Sequence, residues 1–359
     1  MKKLLRISTF PTSLFPGAGL HPYQISKNEE RYQIYYLHPF LEGDTFDSGK
    51  IVRSPIKMNM TPRPKTKLLN QLHFLFRRTL DLIRINTKAI FLILKNDISI
   101  VHIHSPMYMG ASLFAKFIGK KNYITYHGSD FQRIKKSKLY RYLCFCFDHA
   151  FFIGADMKSG LSKIHGFDKI TQVNNGIDLM EFTPPIENES IDTFKFCAVG
   201  SLKKEKGFDY LIGAFKHSSL NYSCNIAGNG NLKEELKHKI DKTKTNIVLV
   251  GHLNSDQVKE FYHSHEYFIL SSTSEGFPKV LLEALASGCK IIATRVGSVA
   301  EILGDDYPFL CEPNSETDLK NKIEEICTQH DFDFEKHRTK TIEKFSWEKV
   351  MLPYLKYLK

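Results

Sequence analysis

The sequence predicts an α/β protein with two domains, and three observations support this prediction. Strand-like apolar runs alternate with helical patterns in both halves of the chain. The chain has 359 residues, enough for two domains of roughly 150 residues each. A polar stretch over residues 184–193 separates the two halves and is the best candidate for a linker.

The first half contains strand-like runs and one long helical pattern. Strands are predicted over residues 4–10, 32–39, 98–104, 123–130 (running into a polar loop) and 150–155, with a helix over residues 61–95. Gly17 and Gly19 lie in a loop after the first strand, where glycine by itself indicates a turn that needs positive φ. His102 and His104 share one strand face, but no third ligand accompanies them, so a metal site is not predicted.

The second half continues the same alternation. Residues 194–200 start the second domain. Strands are predicted over residues 247–253, 267–270 and 290–294, and helices over residues 256–262 and 345–357. Asn175 and Gly176 form a turn signal before the linker. Pro353 is expected to kink or reset the last helix, because proline lacks the amide hydrogen that a helix interior requires.

The composition is that of a soluble globular protein, with 42% apolar and 25% charged residues. The seven cysteines lack zinc-type pairs, which predicts buried free thiols in a reducing compartment. The apolar run at residues 4–5 is too short for a signal peptide, and no apolar run reaches the length of a membrane span. A cytoplasmic location is therefore expected.

The formal net charge is +11, and much of the excess lies in residues 63–88 and 133–141. In the first segment, basic residues alternate with Leu, Phe and Ile. Two interpretations stay open: an ordinary amphipathic helix with a solvated basic face, or an arm against anionic lipid, where each cation contributes about 1 kcal/mol. No nucleic-acid-binding motif accompanies the charge, so a nucleic-acid partner is not predicted.

Residues 271–303 carry the strongest functional pattern. An apolar strand is followed by a small polar loop, then by a helix that begins near Pro278 and ends at Gly288. The unpartnered N–H groups of a first helical turn suit a phosphate, and ligands bind at the carboxyl ends of strands in open α/β sheets. Glu275 and Glu283 bracket this helix start and could accept sugar hydroxyls, which suggests a nucleotide-sugar site. Alternatively, Glu283 is a solvated partner of Lys279 and Glu275 an ordinary loop acid.

The string S-E-G-F-P-x-x-x-x-E-A-x-A-x-G over residues 274–288 resembles the E-x7-E signature of retaining glycosyltransferases of family 4. Gly297 and Glu301 continue the resemblance. It implies the GT-B architecture, in which two Rossmann-like, doubly wound domains face a cleft. It also implies that Glu275 contacts the donor sugar and Glu283 the ribose, with the diphosphate held at Gly276, Phe277, Pro278 and Lys279.

Further segments resemble the same family. Lys206 matches its phosphate-binding lysine within V-G-x-L-x-x-x-K-G, but Ser201 stands where the family has arginine. Either Lys203 or Lys204 compensates, or diphosphate binding is weaker. Residues 127–130 resemble the family's H-G-x-D segment, which implies a catalytic contact of His127 with the donor sugar, supported by Asp130.

Glycine-rich and terminal segments complete the resemblance. Gly17 and Gly19 correspond to the family's glycine-rich loop near the donor diphosphate, although the motif here is G-A-G rather than G-G. Gly228 and Gly230 would let backbone pass near the base or phosphates. The F-S-W-E helix is expected to cross back onto the first domain. The predicted domains are residues 1–185, 186–341 and a terminal helix over 342–359.

The resemblance implies a retaining transfer of sugar from a nucleotide diphosphate sugar, a UDP-sugar before a GDP-sugar. The acceptor would be a hydroxyl of a saccharide or lipid-linked saccharide in cell-surface polysaccharide synthesis. The departing phosphate would help to deprotonate that hydroxyl, with no metal and no other cofactor required. Peripheral contact with the inner face of an anionic membrane is also expected. An epimerase of the same fold and a non-catalytic nucleotide-sugar-binding protein stay open as alternatives.

Overall fold

The computed structural model describes residues 1–8, 20–40, 51–57, 68–127, 130–131, 134, 137–154, 157–184, 194–329 and 331–358. The chain forms two compact units. Residues Met1–Asn174 and Val350–Lys359 make the first, and Asn175–Lys349 make the second. Within the described ranges, no helix combines the length and apolar character needed to cross a membrane.

Within the described residues, the first unit contains a seven-stranded parallel sheet with helices between its strands. The elements are β1 (Lys2–Ile7), α1 (Leu20–Lys27), β2 (Tyr32–Phe40), β3 (Ile51–Lys57), α2 (Leu68–Lys95), β4 (Ile100–Ile103), α3 (Met109–Phe117), β5 (Lys121–Tyr126), α4 (Lys138–Leu143), β6 (His149–Phe152), α5 (Lys158–His165) and β7 (Ile170–Gln172). The spatial order is β3-β2-β1-β4-β5-β6-β7. The order reverses between β1 and β4, which is the topological switch point of a doubly wound sheet.

The second unit repeats this architecture with a six-stranded parallel sheet in its described part. Its elements are β8 (Phe194–Val199), α6 (Phe208–Lys216), β9 (Tyr222–Ala227), α7 (Lys233–Thr243), β10 (Ile247–Gly251), α8 (Ser255–His263), β11 (Tyr267–Leu270), α9 (Lys279–Ala286), β12 (Lys290–Thr294), α10 (Val299–Leu303), β13 (Leu310–Cys311), α11 (Glu316–Thr328) and α12 (Phe334–Lys344). The last helix, α13 (Trp347–Tyr357), begins in the second unit, and its residues from Val350 belong to the first. The order β10-β9-β8-β11-β12-β13 reverses between β8 and β11. The predicted α/β fold class is confirmed.

Burial follows the residue patterns that predicted the elements. All four residues of β11 are buried, as expected for a parallel strand covered on both faces. In α9, Leu281, Ala284 and Leu285 are buried at helical spacing, and Gly288 follows the helix with a φ of +90°. Each of the seven cysteines is free and six are buried, which agrees with the predicted buried thiols.

The division between the units differs from the predicted boundary at residues 185/186. Residues 175–184 belong to the second unit. The Ile177 amide donates to the Phe345 carbonyl at 2.8 Å, and the Ile177 side chain is buried in the second core. A Cβ at Gly176 would lie 2.4 Å from Trp347 Cδ2, so this backbone packs directly on the indole. These contacts, rather than the polar composition downstream, decide where the second unit begins.

The terminal helix α13 joins the first unit only from Val350 onward, not from the predicted residue 342. Its Tyr354 hydroxyl lies 2.9 Å from His21 Nε2 and 3.2 Å from Thr125 Oγ1. The Tyr357 ring stacks on His149 with 3.9 Å between ring centroids. The helix continues through Pro353 to Tyr357.

Candidate active site

The predicted donor site lies in the second unit, in the loops that follow β8 and β11. These strands are neighbours at the point where the sheet order reverses. Loops at such a switch point form the usual ligand crevice of open α/β sheets. The loop after β8 carries Lys206, and the loop after β11 carries Glu275 and leads into α9.

The structure brings Lys206 and Glu275 into direct contact. Lys206 Nζ lies 2.6 Å from Glu275 Oε1, and the two side chains are only 23% and 11% exposed. Ser272 Oγ donates a second hydrogen bond to the same oxygen, also at 2.6 Å. An ammonium group and a carboxylate thus lie together at the end of the sheet, beside the start of α9.

Backbone contacts hold the two loops against each other. Ser271 Oγ donates to the Lys206 carbonyl at 2.9 Å, and the Thr273 amide donates to the Glu205 carbonyl at 2.8 Å. Gly207 has a φ of +63°, and a Cβ there would lie 2.0 Å from the Ser271 carbonyl oxygen. Only glycine fits this left-handed, crowded position, so it fixes the approach of the Lys206 turn to the Glu275 loop.

The start of α9 is held from the opposite side by residues 297–298. Gly297 has a φ of +53°, and a Cβ there would lie 2.1 Å from the Glu275 carbonyl oxygen. The Ser298 amide donates to the Gly276 carbonyl at 3.1 Å. Pro278 occupies the N-cap position and provides no side-chain cap, and the Leu281 amide of the first turn donates to the Pro278 carbonyl at 3.2 Å. The positive end of the helix dipole at this position favours an anion.

Glu283 and Lys279 lie on α9, one helical turn apart. Glu283 is half-buried, and the Tyr262 hydroxyl donates to its Oε2 at 3.4 Å. Burial raises the pKa of Glu283, although Lys279 opposes that shift. Burial lowers the pKa of Lys279 to about 8, and Glu283 opposes this second shift as well. Glu283 is therefore not the fully solvated residue of the alternative interpretation.

Phe277 lies in the predicted donor-binding segment, and its contacts are apolar. Its ring is 5.7 Å from the Phe345 ring and packs on the second core. Gly276 differs, since nothing lies within 4 Å of the Cβ that another residue would place there. The backbone at Gly276 is therefore open to a ligand, whereas Phe277 anchors the segment.

Ser201 is half-buried after β8, and its carbonyl accepts from the Lys203 amide at 2.7 Å. Lys203 and Lys204 are both exposed. The glycines of the later G-x-G pack on this loop. A Cβ at Gly228 would lie 1.8 Å from the Gly200 carbonyl oxygen, and one at Gly230 would lie 2.3 Å from that of Leu202. Their small size permits close backbone packing next to the site.

In the first unit, His127 follows β5, and Asp130 is hydrogen-bonded to the His127 backbone. The Asp130 amide donates to the His127 carbonyl at 2.8 Å, and the His127 amide donates to Asp130 Oδ2 at 3.3 Å. Ser105 Oγ also donates to the Asp130 carboxylate, at 3.3 Å. Asp130 thus holds the backbone of His127 through both of these hydrogen bonds. Gly17, Gly19, Gly128 and Ser129 lie outside the described residues.

A histidine cluster surrounds His127. Ring centroids lie 5.8 Å apart for His21 and His127, 5.9 Å for His104 and His127, and 4.4 Å for His102 and His104. Burial lowers the pKa of His102 and of His104 well below the usual value, so both are neutral at pH 7. Among the described residues, no group of three or more His, Cys, Asp or Glu could hold a metal ion.

Sequence reasoning did not identify several residues of these sites. Ser272 lies in the polar loop just before the quoted motif and looks like any loop serine. Tyr262 comes from a preceding helix, and Tyr354 and His21 come from opposite ends of the chain. The sequence shows these residues only as polar side chains without a motif of their own, and this is a weak signal for a role in a site.

Two family models match adjacent parts of the chain. The model described as Glycosyltransferase Family 4 matches residues 57–181, and the model described as Glycosyl transferases group 1 matches residues 181–344. Together they include every predicted site residue except the two glycines before α1.

Curated relatives carry related descriptions. An uncharacterized glycosyltransferase of Methanocaldococcus jannaschii, MJ1178, is 28% identical over 71% of this chain and 73% of its own. The gpi3 subunit of the Schizosaccharomyces pombe phosphatidylinositol N-acetylglucosaminyltransferase is 24% identical over 70% of this chain, but only 57% of its own length is covered. A Campylobacter jejuni N-acetylgalactosaminyltransferase named for a diphospho-undecaprenol substrate is 30% identical over 51% of this chain and 52% of its own.

Solved structures share the fold over the whole chain. A glycosyltransferase from Rickettsia africae has a TM-score of 0.75 at 17% identity, covering 99% of this chain and 97% of its own. Anabaena Alr3699/HepE in complex with UDP-glucose has a TM-score of 0.73 at 14% identity, covering 100% of this chain and 99% of its own. At these identities the similarity shows the fold alone.

Proposed function

The chain belongs to the group 1 glycosyl transferases of family 4 with the GT-B fold, and on that basis we propose the reaction it performs. It is a glycosyltransferase of glycan biosynthesis, as the sequence predicted. The proposed donor is a nucleotide diphosphate sugar, a UDP-sugar before a GDP-sugar. The proposed transfer retains the anomeric configuration. The observation that carries the proposal is the Lys206–Glu275 pair beside the uncapped start of α9.

The diphosphate would be held by positive charge from two sources. Lys206 supplies an ammonium group with three donors, of which Glu275 uses one. The positive end of the α9 dipole and the Lys279 ammonium group supply the second source. Charge that develops on the departing phosphate would be stabilised in this half-buried place, where electrostatic interactions are stronger than in water.

The two glutamates would select the hydroxyl-bearing parts of the donor. Glu283 would accept hydrogen bonds from the ribose, and its position beside Tyr262 fixes its carboxyl group. Glu275 would accept from sugar hydroxyls. In the proposed displacement, the bond from the anomeric carbon to the phosphate oxygen breaks while the bond to the acceptor oxygen forms on the same face. The acceptor proton passes to the phosphate oxygen.

The remaining predicted site residues keep their proposed roles. His127, whose backbone is hydrogen-bonded to Asp130, is proposed to contact the donor sugar. Ser201 is proposed to take the place of the family arginine with a weaker contact to the diphosphate. Gly17 and Gly19 are proposed to approach the diphosphate. No step of this proposal is assigned to a metal ion.

The proposed acceptor is a saccharide or lipid-linked saccharide hydroxyl. The names of two relatives support a lipid-linked acceptor, because one contains phosphatidylinositol and the other diphospho-undecaprenol. Such acceptors lie at a membrane surface, and helix α2 of the first unit has an exposed apolar face that could contact such a surface.

Helix α2 presents two apolar faces. One is buried in the first core and contains Ile85, Ala89 and Ile93. At about 100° per residue, a second set falls on the opposite face and is exposed. This set comprises Phe76, Leu80, Ile83, Phe91 and Leu94. We propose that the exposed face contacts an anionic membrane surface, because Arg77, Arg84, Lys88 and Lys95 border it.

The donor proposal is tested by measuring unfolding temperature with a panel of nucleotide sugars. A bound donor at one hundred times its Kd should stabilise the protein by about 2.7 kcal/mol. The stabilising donor is then incubated with saccharide and lipid-linked acceptors, and the anomeric configuration of the product is read by NMR. Free epimerised sugar without acceptor would instead support an epimerase, and binding without turnover for any acceptor would support a binding protein.

Variants of Lys206 and Glu275 test whether these two residues form the donor site. Lys206→Ala should abolish transfer and lower affinity for the nucleoside diphosphate at least tenfold, and Glu275→Ala should abolish transfer, both with the fold intact by circular dichroism. Lys216→Ala, an exposed lysine of the same unit, is the matched control. Wild-type transfer rates in either variant of the pair would contradict the site assignment.

A further inference from the structure

We propose that Ser272 is a positioning residue that orients the Glu275 carboxylate, so that Oε2 faces the donor sugar. This role rests on the proposed function, in which Glu275 accepts hydrogen bonds from sugar hydroxyls. Ser272 does not touch the donor itself. It acts through the carboxylate three residues later in the same loop.

The two oxygens of Glu275 differ in their surroundings. Oε1 receives hydrogen bonds from both Lys206 Nζ and Ser272 Oγ, each at 2.6 Å. Within the described part of the chain, Oε2 has no hydrogen-bond partner. One oxygen is therefore held by the protein, and the other keeps its full capacity to accept from a ligand.

The serine, rather than the lysine, defines the plane of the carboxylate. The terminal torsion of a glutamate is broad, so a carboxylate rotates readily unless a fixed donor holds it. A lysine ammonium is a point charge on a flexible stem with three rotatable donors, and it can follow either oxygen as the group turns. Ser272 is only 1% exposed and has one short side chain, so its hydroxyl offers a fixed direction.

The backbone of Ser272 is itself anchored to the sheet. Thr294 Oγ1 donates to the Ser272 carbonyl at 2.6 Å and lies 3.2 Å from the Leu270 carbonyl. Thr294 is the buried last residue of β12, next to β11 in the sheet. The orientation of Glu275 thus derives from a rigid strand through Thr294 and Ser272, although Glu275 lies in a loop.

Positioning of this kind predicts a selective effect on sugar recognition. Ser272→Ala should lower kcat/KM for the nucleotide sugar about tenfold or more, because a misoriented carboxylate no longer matches the sugar hydroxyls. Affinity for the nucleoside diphosphate alone should stay unchanged, since Lys206 and α9 remain in place. Ser272→Thr keeps the hydroxyl and should restore most of the activity. Ser272→Cys keeps the size but provides only a weak S–H donor, and it should resemble the alanine variant.

The decisive experiment is a double-mutant cycle on donor affinity with Ser272→Ala and Glu275→Ala. If Ser272 acts through Glu275, adding Ser272→Ala to Glu275→Ala should cause no further loss of affinity for the nucleotide sugar. Ser274→Ala, an exposed serine of the same loop, is the matched control and should behave as wild type.

Three results would overturn the proposal: additive losses in the cycle, equal losses for the nucleotide sugar and the free nucleoside diphosphate, or wild-type kcat/KM in Ser272→Ala. These results are distinct from failure of the proposed function. A wild-type protein that binds no nucleotide sugar overturns that function and this role with it, whereas normal donor binding with an unaffected Ser272→Ala overturns the positioning role alone.

Discussion

Two opposing effects act on the pKa of the Lys279 ammonium group: burial and a neighbouring carboxylate. Burial lowers its pKa to about 8, and Glu283 one turn later opposes that shift. The charged form is therefore disfavoured in the folded protein without ligand. A diphosphate bound at the start of α9 favours the charged form, so ligand binding and protonation of Lys279 are coupled.

This coupling predicts a pH dependence of nucleotide affinity. As the pH rises through about 8, Lys279 loses its proton in the free protein, and affinity for UDP should fall by up to about tenfold per pH unit. Lys279→Arg should remove this dependence, because a guanidinium keeps its charge over the whole range. The measurement is isothermal titration calorimetry of UDP between pH 7 and 9.5. Identical slopes in the wild type and in Lys279→Arg would contradict the prediction.

The free energy of unfolding also depends on the protonation of Lys279, and it changes with pH in the opposite direction to the ligand affinity. The folded pKa of Lys279 is below its unfolded value of 10.5, so the charged form costs stability at neutral pH. That cost disappears as the pH rises from about 8 toward the unfolded value. Stability and the proposed ligand affinity are thus expected to depend on the proton of Lys279 with opposite signs.

At the scale of elements, α2 has one apolar face buried in the first unit and a second apolar face exposed. The sequence left open whether this segment is an ordinary amphipathic helix or a lipid-binding arm. The structure shows that it does bury an apolar face, through Ile85 and Ala89. It also exposes Phe76 and Phe91, which are 63% and 56% exposed. An exposed apolar face of this kind marks a candidate interaction surface, and the occupant proposed here is a membrane interface.

The exposed face of α2 predicts binding to vesicles that contain anionic lipid. Phe76→Ser combined with Phe91→Ser should reduce co-sedimentation, because burial of apolar area drives insertion. Arg77→Gln should weaken binding about fivefold, equivalent to about 1 kcal/mol for one cation near the surface, and should reduce its salt dependence.

The matched control for α2 is Phe167→Ser. Phe167 is 74% exposed in the first unit but lies outside α2. It should bind vesicles as the wild type does. Equal loss in Phe167→Ser, or no loss in the α2 variants, would show that this helix is not the contact surface.

At the scale of the whole molecule, buried neutral histidines make the fold sensitive to acid. Burial lowers the pKa of His102 and His104 well below 6.5, and it lowers the pKa of His149 and His165 to about 4. The unfolded chain takes up protons at these positions below pH 6.5, whereas the folded protein does not. Stability is therefore fully present above pH 6.5 and is lost as the pH falls.

The expected slope is up to about 1.4 kcal/mol of unfolding free energy per pH unit for each such histidine. Urea unfolding at pH 7.5, 6.5 and 5.5 measures it. His165→Gln removes one titrating group and can keep a hydrogen bond to the Tyr126 hydroxyl, which is 2.9 Å from the histidine. In this variant, one proton fewer is taken up on unfolding between pH 6.5 and 4, so the change of unfolding free energy per pH unit should be smaller than in the wild type. A wild-type stability that is constant from pH 7.5 to 5.5 would contradict this account.

The sequence by itself determined the α/β class, the family and most of the element order. The strand at residues 267–270 and the strand at residues 290–294 have the bounds that their apolar runs predicted. Local patterns suffice for these features because apolar periodicity reports burial directly. Glu275, Glu283 and the start of α9 are close in sequence, so their motif could be recognised without a structure.

Only the tertiary structure decided which distant groups meet. Lys206 and Glu275 are 69 positions apart, and the switch point of the sheet brings them to 2.6 Å. The Tyr354 contact with His21 spans 333 positions, and no periodic pattern reports it. The role of Ser272, the exposed face of α2 and the boundary at Asn175 likewise depend on strand order and packing. The physical reason is that the pattern of a segment encodes whether it is buried, whereas the neighbour that buries it comes from elsewhere in the chain.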